Sequence, residues 1–477
     1  MKSILEILTF LNKKSKDIKS IQIESIFLDS RKCDNKSVFV ALKGQSTDGN
    51  KYIDNVISKG VSLVLTDSIK FEDRDKVFYV EGLKDKLANL AIWFYDYKKP
   101  RNIIGITGTN GKTSISSYIA QLINLNTQKS LLLGTNGNGI YPSLKESSHT
   151  TPDILSLYQI ISSYDHYQNL IMEVSSHSLD QNRVAGIDFD VAVFSNLSHD
   201  HLDYHKTMDN YFKAKAKLFE FKSLKKAVIN IDDDYGKKLC DICNCEVITV
   251  SLKSKQADVY LRTKSIDNIQ TSFELYTFQE YLGTYQTALV GEFNLMNLAL
   301  SFAALDGYIV REALLENIVN VKPVKGRMEV IQLDNGAKVI IDYAHTPDAL
   351  EKVLQTLQNY SQNTLWSIFG CGGDRDATKR PEMAAVAEKY ADKIIVTEDN
   401  NRFESIDNIF NDIKKGFKNI GQHKFISSRE EAIKYTIENS RSGDIILLAG
   451  KGHECYLDKN GVKEYFDERK IVKNIIN

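Results

Sequence analysis

Two patterns alternate along this chain. Short, unbroken apolar runs such as "NIIGIT", "NLIMEV", "DVAVFSN" and "KAVINI" each stop at a polar turn, and stretches with helical spacing such as "KTSISSYIAQLINL" lie between them. Strands that are apolar at every position are covered on both faces, so the alternation predicts a parallel sheet packed between helices. Ahead of it, shorter strands ("SIFLDSR", "SVFVAL", "SLVLTD", "KVFYVE") mix with helical stretches. "MKSILEILTFLNKKSKD" reads as an amphipathic helix, and "YDYKKPRN" as a linker near Pro100.

Around residues 246–292 the strands "EVITVS", "DVYLRTKSI", "SFELYTF" and "TALVGEF" follow one another without helices, which predicts an antiparallel appendage. After "VKPVKGRMEV" a second α/β unit begins. Its strands "KVIIDYAH", "LWSIFGCGGDRD", "KIIVTEDNNR" and "DIILLAGKGHE" each run into a polar turn, and in such sheets ligands bind beyond the carboxyl ends of the strands. The four turns are therefore expected on one rim.

The length of 477 residues, at about 150 per domain, agrees with three domains. The expected fold class is α/β: residues 1–99 an N-terminal domain, 100–325 a central parallel-sheet domain with its appendage, and 326–477 a Rossmann-like C-terminal domain. With 61 basic and 62 acidic residues, no surface for nucleic acid or membrane is advertised, and small-molecule chemistry moves forward. No run approaches about 20 apolar residues and the N-terminus lacks a small-residue cleavage site, so a cytoplasmic protein is expected, as a monomer.

Three of the six cysteines crowd into "CDICNC" (Cys240, Cys243, Cys245). No second cysteine pair or nearby histidine completes a four-ligand zinc set, and reduced, partly buried thiols are the expectation.

The chemistry starts at "GITGTNGKTS", Gly105 to Ser114. The usual phosphate-loop spacing wants a glycine where Ile106 stands, yet the context of strand, glycine turn and helix aims backbone N–H groups and a helix N-terminus at one anion. Gly108 and Gly111 permit close backbone approach, Lys112 reaches terminal phosphates, and the Thr113 hydroxyl suits Mg²⁺. Glu173, ending an apolar strand, offers a carboxylate to the same metal or is a solvated strand end. In "NLSHDHLDYH" the cluster His199, Asp200, His201, Asp203 and His205 leaves a second Mg²⁺ site, a zinc site and a polar loop open.

Together with these, "EVSSHSL", "YFKAK", "GEFNLMN", "GRME", "DYAHTPD", "GCGGDRD" and "GKGHE", in this order and across nearly the whole chain, resemble the Mur ligase family of ATP-dependent amide-forming enzymes. The family's loop places its glycines as this one does. Within the family the resemblance is to the members that add a diamino acid to the D-glutamate of UDP-N-acetylmuramoyl-L-alanyl-D-glutamate, in peptidoglycan precursor synthesis.

The resemblance implies residue roles. Gly108, Thr109, Asn110, Gly111, Lys112, Thr113 and Ser114 hold ATP phosphates, with Asn294, Asn297, Arg327 and Asp342 as further nucleotide contacts, Arg327 lying at a domain junction. Two Mg²⁺ ions are implied, with Thr113, Glu173, His201 and Lys215 as ligands, Lys215 through a carbamate derived from CO₂. Only the alignment separates Lys215 from Lys213 and Lys217, which otherwise share a solvated helix face. Leu28 and Ser30 match uridine contacts beside the turn "GQSTDG", and Thr150, Thr151, Ser175, Gln181 and Arg183 match muramyl-peptide contacts. His149 stands where some relatives carry asparagine, and Gln45 where a histidine is usual.

For the diamino acid, relatives using meso-diaminopimelate carry D-N-P-R, and this chain has Asp399, Asn400, Asn401 and Arg402. Losing the proline frees φ, but the arginine is kept. Arg375 and Arg402 are forks suited to a carboxylate, Glu454 suits the distal ammonium, and Gly450 lies in the same turn as Glu454. Meso-diaminopimelate is therefore favoured over L-lysine. Folylpolyglutamate synthetases, which share the ATP domain, lack the "FLDSR" segment and the "GKGHE" turn present here.

Overall fold

A computed structural model describes residues 1–13, 21–44, 47–71, 74–147, 149–267 and 270–476. Gln45 lies outside them. By internal contacts the chain divides into two interleaved units, Met1–Gly105 with Thr127–Val191 and Glu220–Lys225, and Ile106–Asn126 with Ala192–Phe219 and Lys226–Asn477.

In the first unit the helix Ile4–Phe10 is closed by a capping box: Glu6 N–H bonds to Ser3 Oγ and Ser3 N–H to Glu6 Oε2. The four short strands Ser25–Phe27, Ser37–Ala41, Leu63–Thr66 and Val77–Tyr79 form a parallel sheet in chain order. Phe39, Ile53, Val56 and Val64 pack on one of its faces. The strand Asn169–Glu173 runs parallel to Ser130–Gly134, and Gly137–Ile140 folds back antiparallel on the latter.

In the second unit Lys226–Asn230, Glu246–Ser251 and Val259–Asp267 are parallel neighbours, followed by antiparallel Gln270–Thr277 and Glu280–Thr287. The expected appendage is thus antiparallel only from Val259 onward. Glu246–Ser251 is reached by a crossover through the helix Asp234–Cys240 and so joins the parallel part. "TALVGEF" is not the last strand either. That strand is Glu280–Thr287, and the apolar residues after it lead into the helix Glu292–Leu305, buried along its length from Asn294.

The C-terminal sheet has the order Glu329–Gln332, Lys338–Asp342, Ile445–Ala449, Leu365–Phe369, Lys393–Val396, Lys424–Phe425, with only the first pair antiparallel. Alternate residues face two separate cores. Val339, Ile341, Ile446, Leu448 and Ile368 pack beneath the helices Arg429–Glu438 and Glu468–Ile476. Ile340, Leu447, Phe369 and Val396 pack beneath Pro347–Gln358, Lys379–Tyr390 and Ile406–Lys414. That is why these strands read as unbroken apolar runs, and since all four are parallel their polar turns emerge at one rim.

The rim is tied down by a buried cation. Arg429 donates from Nε to Glu468 Oε1 (2.7 Å), from Nη2 to the carbonyl of Ala449 (2.8 Å) and from Nη1 to that of Glu398 (3.3 Å). Arg429 and Glu468 are 0 % and 1 % exposed. Among the described residues no helix is long and apolar enough to cross a membrane. Replacing Arg429 by methionine strands the Glu468 carboxylate and is expected to cost about 3–5 kcal/mol in urea denaturation, part of it recovered in Arg429→Met/Glu468→Leu, which still loses the bonds to the Ala449 and Glu398 carbonyls.

Candidate active site

The loop Gly108–Gly111 joins the strand Asn102–Thr107 to the helix Lys112–Leu125. Gly108 and Gly111 have φ of +143° and +88°, a region closed to most side chains. Contacts explain the glycines as well. A Cβ at Gly108 would run into Ser195 Oγ, and one at Gly111 would lie 2.6 Å from Asn297 Oδ1. The loop is clamped by the residues ending the strand Val191–Phe194. Thr109 N–H donates to the Asn196 carbonyl (2.8 Å), Asn110 N–H to Asn196 Oδ1 (3.0 Å), and Ser195 Oγ and Asn196 Nδ2 donate to the Asn110 carbonyl. Neither Ser195 nor Asn196 was singled out from the sequence. Their signal was present, since they end an apolar strand as Glu173 does.

Lys112 Nζ donates to the carbonyls of Gly108 and Thr109, both at 2.9 Å. Lys215 Nζ donates to the same Gly108 carbonyl at 2.7 Å. Lys215 is 2 % exposed and lies over the Tyr211 ring. Burial, with the neighbouring Lys112 charge, pushes its ammonium well below the ordinary lysine value against a weaker pull from Asp200. Helix geometry makes the distinction the sequence could not. Lys213 sits on the outer face of Met208–Ala216, paired with Asp209, whereas Lys215 points inward.

His201 is held at φ +54°, its N–H bonded to Asp200 Oδ1 and its ring edge-on to Tyr211. Burial acts to raise the Asp200 pKa, but His201, His345 and Lys112 together leave it lowered. Asn294 Oδ1 accepts from Tyr118 of the loop's helix (3.1 Å), so Asn294 and Asn297 lie against that helix. Thr113 and Ser114 are buried in its first turn. Asn110 Nδ2 also reaches Asp348 Oδ2 (3.2 Å), at the start of the helix Pro347–Gln358.

Glu173 belongs to the first unit and is 1 % exposed, so it is no solvated strand end. Thr135 donates to it from its N–H (3.0 Å) and its hydroxyl (2.9 Å). The same hydroxyl meets Thr150 Oγ1 at 3.1 Å, and Thr151 Oγ1 donates to the Glu173 carbonyl (2.8 Å) while accepting from Ser175 N–H. Arg183 donates to Gln181 Oε1 through Nε and Nη2, and to the Thr151 carbonyl through Nη1. These residues therefore form one polar cluster. Leu28 and Ser30 flank Asp29 beyond the strand Ser25–Phe27, half-buried, and the Arg31 hydrogen bonds hold the Asp29 carboxyl down at about 2.

On the C-terminal rim Asp342 is buried and accepts N–H bonds from Met328 and Ala344, both 2.8 Å, and its burial outweighs Arg327 in raising its pKa. Arg327 lies over the Tyr343 ring. A Cβ at Gly450 would approach Asp399 Oδ2 to 2.9 Å. Asn400 Nδ2 donates to Glu454 Oε2 (2.9 Å). Arg402 donates through Nη1 to the Gly373 carbonyl (2.7 Å), and a side chain at Gly372 would meet both Arg402 Nη1 and the exposed Arg375. Where relatives have proline, Asn401 packs its carbonyl against Gly373, and the next residue is pinned by Arg402 N–H to the Asp458 carbonyl (2.9 Å) and Asn460 N–H to the Arg402 carbonyl (2.7 Å). The three thiols of "CDICNC" are half-buried, and burial pushes Cys243 up to about 12.

Comparison with known proteins agrees with this arrangement. Three family models match successive segments: the Mur ligase family catalytic domain over residues 22–90, the Mur ligase middle domain over 106–305, and the Mur ligase glutamate ligase domain over 326–452. The chain is 40% identical over 460 residues to the UDP-N-acetylmuramoyl-L-alanyl-D-glutamate--2,6-diaminopimelate ligase of Pseudomonas aeruginosa, covering 94% of each chain. It is 38% identical over 469 residues to the enzyme of that name from Vibrio parahaemolyticus, covering 96% of this chain and 95% of the other. A solved structure of a ligase of that name superposes with a TM-score of 0.68 at 36% identity, over 98% of both chains. With its phosphate loop, polar cluster and C-terminal rim matched over nearly their whole length, the chain belongs to the Mur ligase family.

Proposed function

We propose that this ATP-dependent ligase joins meso-diaminopimelate to the γ-carboxylate of D-glutamate in UDP-N-acetylmuramoyl-L-alanyl-D-glutamate, a step of peptidoglycan precursor synthesis. One observation carries the choice of amino acid. Arg402 donates through Nη1 to the carbonyls of Gly373 and Asn400, in the turn that also carries Asp399 and whose Asn400 side chain donates to Glu454. A distal stereocentre bearing both an ammonium and a carboxylate offers an opposite charge to Glu454 and to Arg402, whereas L-lysine offers the arginine none. The matched segments support domain limits of 1–99, 100–325 and 326–477.

The chain's own groups account for the chemistry. The loop backbone, the N-terminus of the helix Lys112–Leu125 and the Lys112 ammonium receive the ATP phosphates. The substrate γ-carboxylate takes the γ-phosphoryl group to give an acyl phosphate and ADP, and the neutral amine of the diamino acid attacks that carbon, expelling phosphate. Thr150, Thr151, Ser175, Gln181 and Arg183 hold the muramyl peptide, and Leu28 and Ser30 the uridine. Asn294, Asn297, Arg327 and Asp342 take the rest of the nucleotide.

Two Mg²⁺ ions suit Thr113, Glu173, His201 and Lys215, and when bound they neutralise the charge on the transferring phosphoryl group. The chemistry of the donors suits a hard cation: Thr113 brings a hydroxyl, and Glu173 a carboxylate that Thr135 orients. A carbamate forms only from an unprotonated amine, and burial beside Lys112 favours that form of Lys215.

With ATP, Mg²⁺ and the muramyl dipeptide substrate, ADP release is expected with meso-diaminopimelate and to fall at least about 100-fold with L-lysine, since a site left with unpaired polar groups discriminates strongly. Turnover with lysine alone overturns this choice. Carbon-13 NMR of the enzyme under labelled CO₂ is expected to show a carbamate signal that Lys215→Met lacks. A wild-type spectrum without it removes the carbamate from the site.

A further inference from the structure

The rim holds a charged group that the roles above leave unused. Lys451, between Gly450 and Gly452, is 0 % exposed. Its Nζ lies 2.7 Å from Glu454 Oε2, 3.0 Å from Asn400 Oδ1 and 3.5 Å from Asp399 Oδ1. All three acceptors belong to the residues assigned to the diamino acid. Asn400 Oδ1 also accepts from Asp458 N–H at 2.9 Å, so two donors fix the amide orientation and turn Nδ2 toward Glu454.

We propose that Lys451 is a positioning and specificity-determining residue that sets the charge of the diamino acid site to match a zwitterionic distal end. The proposal rests on the reading of this rim as the diamino acid site. Among the buried and half-buried groups of the site, with Arg375 exposed at its edge, Asp399 and Glu454 carry two negative charges, and Lys451 and Arg402 carry two positive ones. The set is neutral, as is a stereocentre bearing one ammonium and one carboxylate. Without Lys451 the set gains a net negative charge, which suits the bare ammonium of lysine.

The backbone holds this arrangement in place. Gly450 and Gly452 have φ of +113° and +51°, and a Cβ at Gly452 would lie 2.6 Å from Tyr343 Cβ and 2.9 Å from the Gly326 carbonyl. Lys451 is therefore delivered by a turn with little freedom to move. Burial acts to raise the Asp399 pKa, and Lys451, followed by Arg429, is the main influence keeping it lowered instead.

The test is steady-state kinetics of wild type, Lys451→Met, Lys451→Arg and Lys451→Met/Glu454→Gln, with KM measured separately for meso-diaminopimelate, L-lysine, ATP and the muramyl dipeptide substrate. In Lys451→Met, KM for meso-diaminopimelate is expected to rise about tenfold or more, and the kcat/KM ratio to move about tenfold toward lysine, for a close charge pair in a shielded site. KM for ATP and the muramyl substrate stays within about twofold, and Lys451→Arg recovers part of the loss. The double variant removes one charge of each sign, so it keeps its preference for meso-diaminopimelate while its KM rises, and it carries the test where the single variant does not fold. An unchanged KM and ratio in a variant, or all KM values shifting together, overturns the proposal. A wild type that does not use meso-diaminopimelate overturns the reading beneath it.

Discussion

A loop that turns its amides toward an anion must satisfy its carbonyls from behind, and that constraint organises the phosphate site. The Gly108 carbonyl takes Lys112 and Lys215, the Thr109 carbonyl takes Lys112, and the Asn110 carbonyl takes Ser195 and Asn196. Two lysines on one carbonyl in a dry place repel each other, and neutralising the deeper one relieves this. The loop's need for a donor thus places Lys215 where its ammonium is pushed well below the ordinary lysine value. On the outer face of the same helix Lys213 is exposed and pairs with the exposed Asp209 instead.

The C-terminal rim follows a different rule. Its strands are parallel and buried on both faces, so their turns gather at one edge and the polar groups there pack against one another. Arg429 and Glu468 hold the ends of two rim strands from the inside, while Lys451 joins Asp399, Asn400 and Glu454 closer to the edge. Both are buried cations, yet they act differently. Arg429 spends its donors on backbone carbonyls and one structural carboxylate, whereas every acceptor of Lys451 is a side chain of the turns themselves.

Much of this was legible in the sequence because burial on both faces writes an unmistakable apolar run. The four C-terminal strands and their shared rim were read that way, as were the phosphate loop and its helix. The appendage was harder. "EVITVS" has the pattern of its antiparallel neighbours but is reached by a crossover helix, and pairing direction lies in that connection rather than in the strand. "TALVGEF" is apolar because it leads into a helix buried from Asn294 on, and a short apolar run cannot tell a strand from the approach to a buried helix.

Side chains whose role is set by partners distant in sequence were not legible. Ser195 and Asn196 clamp a loop more than 80 residues earlier in the chain. The departure at Asn401 shows the same limit from the other side. The missing proline suggests a looser turn, yet Arg402 is fixed through Asp458 and Asn460, which lie in the hairpin strand Tyr456–Lys459 and in the turn just after it. Proline restricts a turn through its own ring, and a backbone bridge restricts it from outside at the cost of needing that hairpin in register. Rigidity at this arginine is therefore a property of two segments more than 50 residues apart, and no reading confined to the four residues of the turn can recover it.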